Sequence, residues 1–315
     1  MKRVFVTGAT GFIGSYLVRQ LLHCGVDVAV LMRAEADPWR LVDIRPQLHD
    51  VDWDGVSVDS FSESFKEFAP DTVFHLGWSG VGNMDRNQIT QATKNLSFAT
   101  SLAQLAVDTG VECWVGAGSQ AEYGPKNGKI DETQLPQPTT LYGASKLSVG
   151  ILSERIAALG GMRHAWLRIF STYGPMDNAD WMLPTLITKL LNQERPALTA
   201  GEQLWDYLHV NDAARAFLKI AESDARGFFN LGSGEAHPLR MSIETIRDEI
   251  NPALPLGFGE VPYRIDQVMC LHADISKLQR AANWFPEIEL TAGLKSLVAW
   301  HRVNRRSEQR SHNCG

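Results

Sequence analysis

Cysteine is scarce. Four occur in 315 residues, at positions 24, 113, 270 and 314. They are too scattered for metal-ligand pairs or a disulfide framework, and they read as free thiols of a reducing compartment. No metal site is expected. No apolar run is long enough to span a bilayer. Positive charge is not in excess: 30 Lys and Arg stand against 36 Asp and Glu, a net charge of −6. A nucleic-acid surface is therefore not indicated. Internal repeats and low-complexity stretches are absent. A chain of this length can bury a large core, as one large domain or two joined ones.

The organising stretch is the first fourteen residues. Lys2 to Thr7 (KRVFVT) reads as a short buried strand. It runs into Gly8-Ala9-Thr10-Gly11-Phe12-Ile13-Gly14, and then Ile13, Leu17, Leu21 and Leu22 are spaced for one apolar helix face. Strand, glycine turn and helix together give such a glycine run its meaning. Gly8 permits the tight turn, Gly11 lets the backbone approach a pyrophosphate, and Gly14 lets helix and strand pack closely. Free N–H groups at the helix start then hold phosphates, with Phe12 and Ile13 in the first turn. The turn begins at residue 8, which leaves no room ahead of it for a signal peptide. A cytoplasmic protein is expected.

Strand and helix alternate beyond it. Val26 to Met32 is a second strand that ends at Arg33, and Ala34 to Asp54 reads as irregular. Val56 to Val58 reads as a short third strand and Ser60 to Phe68 as a helix. Asp71 to Leu76 is a further strand before Gly77 and Trp78. An apolar helix covers Asn95 to Val107. Val111 to Val115 is a strand that opens into Gly116-Ala117-Gly118-Ser119. Tyr142 to Leu159 is a long helix, and Ala165 to Phe170 the next strand. The expected class is α/β, a Rossmann-type doubly wound parallel sheet covered on both faces, with a smaller C-terminal α/β substrate domain. The expected boundaries are 1–172 for the dinucleotide-binding part, with a return excursion near 208–232. The substrate part covers mainly 173–303, and 304–315 is a polar, frayed tail.

Ser119, Tyr142 and Lys146 form the strongest chemical constellation. Tyr-x-x-x-Lys puts both side chains on one helix face, one turn apart. An ammonium beside a phenol lowers its pKa from about 10 toward neutrality. Such a tyrosine exchanges a proton with a sugar hydroxyl or ketone. Ser119 follows a strand end, where ligands sit in open α/β sheets, and its hydroxyl suits the same oxygen. Alone, the Tyr–Lys pair is an ordinary surface pair; the glycine turn and the strand-end serine give it a catalytic reading.

With these residues the chain resembles the extended short-chain dehydrogenase/reductase family of nucleotide-sugar epimerases, dehydratases and reductases, over roughly residues 1 to 300. Gly8 to Gly14 matches the family's glycine turn, Phe74-His75-Leu76-Gly77 its strand end and Leu141 to Lys146 its YGxSK helix. Leu167 to Phe170 with Tyr173-Gly174-Pro175 looks like its LRxFNVYGP segment, and Asp206 to Asp212 like its RDFxHVxD segment. The resemblance implies NAD or NADP under the glycine turn and beside Leu76 and Gly77, and a nucleotide sugar between the domains. Tyr142 would be the acid/base, and Lys146 would also bind the nicotinamide ribose. Helices 92–107 and 142–159 correspond to those that form the family's dimer, so a homodimer is implied.

Departures from the family narrow the reaction. The Asp-Glu pair of its dehydratases is replaced by Gln120 and Ala121. The cysteine and histidine of its double epimerases are replaced by Ala121 and Trp181. Simple hydride transfer remains. His75-Leu76-Gly77-Trp78 and Gly118 to Tyr123 look like signatures of bacterial NDP-4-keto-6-deoxyhexose reductases. The second strand ends in Arg33, without the acidic residue that pairs with the ribose of NAD; an arginine suits a 2′-phosphate, hence NADP. Arg33 also reads as a solvated loop charge. Trp78 reads as a stacking surface or as packing. The family's asparagine is Ser171 here, and the arginine before its DF pair is Trp205. Arg264 fits the family arginine that pairs with the sugar nucleotide's pyrophosphate, or else forms an exposed salt bridge. The sequence thus suggests an NADP-dependent reductase of a nucleotide-activated 4-keto-6-deoxy sugar, in deoxysugar or surface-polysaccharide biosynthesis. Substrate contacts are expected from Trp78, Ser119, Gln120, Ser171 and Arg264. The alternatives are an NAD-dependent nucleotide-sugar 4-epimerase and a non-catalytic NADP-binding sensor.

Overall fold

A computed structural model describes residues 1–264 and 267–313. In chain order it opens with β1 (Arg3–Thr7), α1 (Phe12–His23), β2 (Asp27–Arg33) and β3 (His49–Trp53). Next come α2 (Ser62–Phe68), β4 (Thr72–His75), α3 (Ser97–Asp108), β5 (Cys113–Ser119) and β6 (Lys129–Ile130). They are followed by α4 (Leu141–Leu159), β7 (Arg163–Ile169), β8 (Thr172–Tyr173), α5 (Met182–Leu191), β9 (Leu204–Trp205) and β10 (Leu208–His209). The chain continues with α6 (Val210–Glu222), β11 (Gly227–Leu231), β12 (His237–Pro238), α7 (Leu239–Ile250), β13 (Cys270–Ala273), α8 (Ser276–Ala282) and α9 (Leu290–Asn313).

Seven parallel strands make the main sheet, in the order β11-β7-β5-β4-β1-β2-β3. The order reverses between β1 and β4, and ligands of open α/β sheets bind beside such a reversal, at the carboxyl ends of the strands. The central strand β1 is apolar because both its faces are covered. On one face Leu17 and Leu21 of α1 and Ala213 and Phe217 of α6 close a core with Val4 and Val6. On the other, Phe61, Phe65, Leu102 and Ala106 pack on Phe5 and Val73. A separate apolar cluster joins Leu186 and Leu190 of α5, Ile243 and Ile246 of α7, and Leu294 and Leu297 of α9. A four-stranded sheet, β12-β9-β13-β6, joins three strands of the C-terminal half to β6 of the N-terminal half. No helix among the described residues is long and apolar enough to cross a membrane.

Three expectations change. The third strand is His49–Trp53, not 56–58; residues 58–61 form a 3-10 turn. HDVDW is polar because β3 pairs on one side only, at the sheet edge. The Gly116-Ala117-Gly118-Ser119 run belongs to β5 rather than to a loop. A Cβ on Gly116 or Gly118 would lie 2.3 Å from Trp166 ring atoms, so the glycines make room for that indole. The polar tail also continues α9 to Asn313; no glycine or proline interrupts it there. Cys24, Cys113 and Cys270 are free thiols, and Cys314 lies outside the described residues.

Candidate active site

A cavity of about 1020 Å³ opens along the carboxyl ends of the strands. Gly8 starts one wall with φ +73°, and a Cβ there would meet the Gly77 nitrogen at 2.6 Å. The glycine turn is thereby pressed against the end of β4, which brings Leu76 and Gly77 into the same wall. Gly14 seats α1 on the turn: a Cβ would fall 2.1 Å from the Gly8 carbonyl oxygen. No side chain caps α1 at Gly11, and Phe12 and Ile13 of its first turn line the cavity. An uncapped helix start facing a void, with no Cβ in the way, fits a dinucleotide pyrophosphate.

Arg33, the last residue of β2, is exposed at this cavity. Arg40, from the irregular stretch after β2, lines it as well. Its guanidinium donates to the Thr10 carbonyl at 3.2 Å and to the Met176 carbonyl at 2.9 Å. It ties the glycine turn to the loop after Tyr173-Gly174-Pro175.

Ser119 ends β5 and accepts a hydrogen bond from the Ala121 N–H at 3.1 Å. Thr140 caps α4 by accepting from the Gly143 N–H at 3.1 Å. A Cβ on Gly143 would sit 2.3 Å from the Ala121 carbonyl oxygen. That close approach brings Tyr142 beside Ser119 in the cavity wall, near enough for the serine hydroxyl to pull the phenol's pKa down. Lys146 is buried under them. Its Nζ donates to the Ala117 carbonyl at 2.7 Å and lies 3.9 Å from the centre of the Trp78 ring. Trp78 stands edge-on to Tyr142, 6.0 Å between ring centres, and donates to Gln91 at 2.7 Å.

The electrostatics differ from the expectation. Burial raises the Tyr142 phenol, while the Ser119 hydroxyl beside it and the Arg86 charge pull it back down. Lys146 is not the cation acting on it here, because its ammonium is turned to Ala117 and Trp78. Burial also lowers Lys146 to about 7, with Glu122 opposing.

The remaining wall holds Ser171, Trp181, Trp205, Tyr207 and Asp177, with Gln120 beside the serine. The two departures noted in the sequence meet: the Trp205 indole donates to the Ser171 hydroxyl at 3.1 Å. Burial pushes the Asp177 carboxyl up to about 7, against the Asn178 N–H bond and Arg40. Arg264 is exposed and is not part of the cavity wall. Among the described residues five cations line the cavity, Arg33, Arg40, Arg86, Lys94 and Lys146, against one carboxylate, Asp177. Arg33 and Arg40, on the glycine-turn side, suit a ligand's phosphates.

Sequence reasoning missed Arg40, Arg86, Lys94 and Asp177, which sit in loops or helix ends without a motif. Other motif residues do structural work. Glu122 is buried and accepts from Arg168 at 2.7 Å, the Trp166 indole at 2.9 Å and the Ser119 N–H at 2.8 Å. Asp206 holds the Ser233–Gly234 turn and the Ala273 N–H, and Asp212 holds the backbone of Glu287 and Ile288.

The sequence model of the NAD dependent epimerase/dehydratase family matches residues 4–232, and the chain belongs to that family. The chain is 30% identical to MoeE5, covering 96% of this chain and 99% of that one, at a TM-score of 0.80. MoeE5 is solved with UDP-glucose and NAD, and also with UDP-glucuronic acid and NAD. UDP-glucose 4-epimerase of Thermus thermophilus, solved with NAD, is 25% identical, covering 95% of this chain and 99% of that one, at a TM-score of 0.81. UDP-N-acetylglucosamine 4-epimerase of Methanobrevibacter ruminantium shares the fold, at 24% identity and a TM-score of 0.88, covering 96% of this chain and 99% of that one.

Proposed function

We propose that the protein is a nucleotide-sugar 4-epimerase that keeps NAD through its cycle. The observation that carries this reading is that Ser119, Tyr142 and Lys146 line the same cavity as the glycine turn. Proton exchange and dinucleotide then share one space. Bound NAD supplies the hydride acceptor and donor at the sugar's C4. Tyr142 takes the proton of the 4-hydroxyl and later returns one, and Ser119 holds the same oxygen. Arg86 and the Ser119 hydroxyl favour the phenolate. Lys146 adds its charge to the phenol once its Nζ leaves the Ala117 carbonyl, and it binds the nicotinamide ribose. Residues 1–172 and 208–232 hold the dinucleotide, while the rest of 173–303 supplies the substrate wall. The ligands of MoeE5 and of the Thermus epimerase support NAD and a UDP-sugar here. The reading places the protein in the cytoplasm.

One observation favours a second reading. β2 ends in Arg33 instead of an acidic residue, and Arg40 reaches the adjoining Thr10 carbonyl. Two cations there suit a 2′-phosphate, and with it an NADPH-dependent reductase of a 4-keto-6-deoxy nucleotide sugar. Product analysis separates the two. Interconversion of UDP-glucose with UDP-galactose, or of the matching uronates, without added cofactor is the epimerase result. Reduction of a 4-keto-6-deoxy nucleotide sugar with one NADPH consumed per product, and no interconversion, is the reductase result.

A further inference from the structure

Arg86 lies just after a short 3-10 turn, Asn83–Asp85, in the loop between β4 and α3. That loop is pinned to the start of α4. The Arg86 carbonyl accepts from the Tyr142 N–H at 2.8 Å, and Asn87 accepts from the Leu141 N–H at 3.1 Å. The Arg86 guanidinium lies 5.7 Å from the centre of the Tyr142 ring and lines the cavity. Its Nε is buried and meets no hydrogen-bond partner among the described residues. No carboxylate pairs with it among them either. A buried guanidinium donor without an acceptor is costly, and an arriving anion removes that cost.

The position selects the anion. Tyr142 meets the oxygen on C4 of the sugar. The ring carbons next to C4 are C3 and C5, and C5 carries C6. The diphosphate hangs from C1, across the ring from C4. A cation over the Tyr142 ring therefore faces the substituents on either side of C4, away from the nucleotide, and the C6 group of a uronic acid is the carboxylate that such a sugar carries there. A planar guanidinium matches a carboxylate bidentately. We propose that Arg86 is a specificity-determining residue that reads a carboxylate at C6, so that the substrate is a nucleotide-activated uronic acid. This rests on the nucleotide-sugar reading above and adds the class of sugar.

Calorimetric titration of the protein with UDP, UDP-glucose and UDP-glucuronate tests it. The wild-type protein should bind UDP-glucuronate about tenfold or more tighter than UDP-glucose. Arg86→Gln should erase that difference by weakening the uronate alone, with UDP and UDP-glucose unchanged. Arg86→Lys keeps the charge but loses the fork, and should retain part of the preference; it also carries the comparison if the glutamine variant does not fold. Equal binding of the two sugars by the wild type overturns the proposal. So does an Arg86→Gln loss shared equally with UDP, which would put the guanidinium on the diphosphate. Failure of all three compounds to bind would instead bring down the nucleotide-sugar reading, and this proposal with it.

Discussion

Lys146 is buried with a backbone carbonyl and an indole face for company. Burial lowers its pKa to about 7, whereas an unfolded lysine titrates near 10.4. Between those values the unfolded chain binds more protons, so this residue's contribution to stability rises with pH across that window. Below pH 7 both states carry the charge and the full burial cost remains. Lys146→Met should therefore raise the Tm of the ligand-free protein at pH 6 and flatten the rise from pH 7 to 10. Thermal unfolding of both proteins across that range checks it; equal slopes would mean that the ammonium carries no burial cost. At Tyr142, replacement by Phe removes the exchangeable proton and leaves the ring beside Trp78. Turnover should fall by about a hundredfold or more, while titration with the nucleotide sugar shows near-normal affinity. Near-normal turnover would assign the proton to another group.

Between β5 and β7 the packing depends on a buried pair. Glu122 and Arg168 are both almost fully buried, and Arg168 continues to the Tyr123 hydroxyl at 2.9 Å. Tyr123 passes the chain to Asn230 of β11 at 2.7 Å. Arg168→Leu leaves a buried carboxylate unpaired and should cost about 3–5 kcal/mol, read from urea unfolding. Adding Glu122→Gln should recover part of that loss; a single-variant cost below about 1 kcal/mol would contradict the pair's role. Elements of this kind explain what the sequence made legible. The glycine turn, Ser119, Tyr142 and Lys146 each sit where a local pattern forces a conformation, so spacing alone located them. The glycines of β5 mislead because their reason is Trp166, a residue far along the chain. β3 hides because an edge strand keeps polar residues. Glu122 and Arg168 were seen as motif letters, but their meaning is a contact across 46 residues. Arg86 belongs to no pattern, and only the fold brings it to Tyr142.

At the scale of the whole molecule, α3 and α4 pack together, and α4 leaves Ile151 and Leu152 exposed at 50% and 41%. Two adjacent exposed apolar side chains suit a second copy of the chain. Light scattering should give twice the 35.0 kDa of one chain, and Leu152→Glu should shift the mass toward one chain. A wild-type monomer would remove the dimer. The central claim is that a hydride leaves C4 and returns to the same carbon without exchange. The most direct measurement uses a UDP-sugar labelled with deuterium at C4, incubated with the purified protein and no added cofactor. The account predicts a C4 epimer that retains its deuterium, with no NADPH consumed. Loss of the label to the cofactor pool, or turnover only of a 4-keto substrate with NADPH consumed one for one, would contradict it.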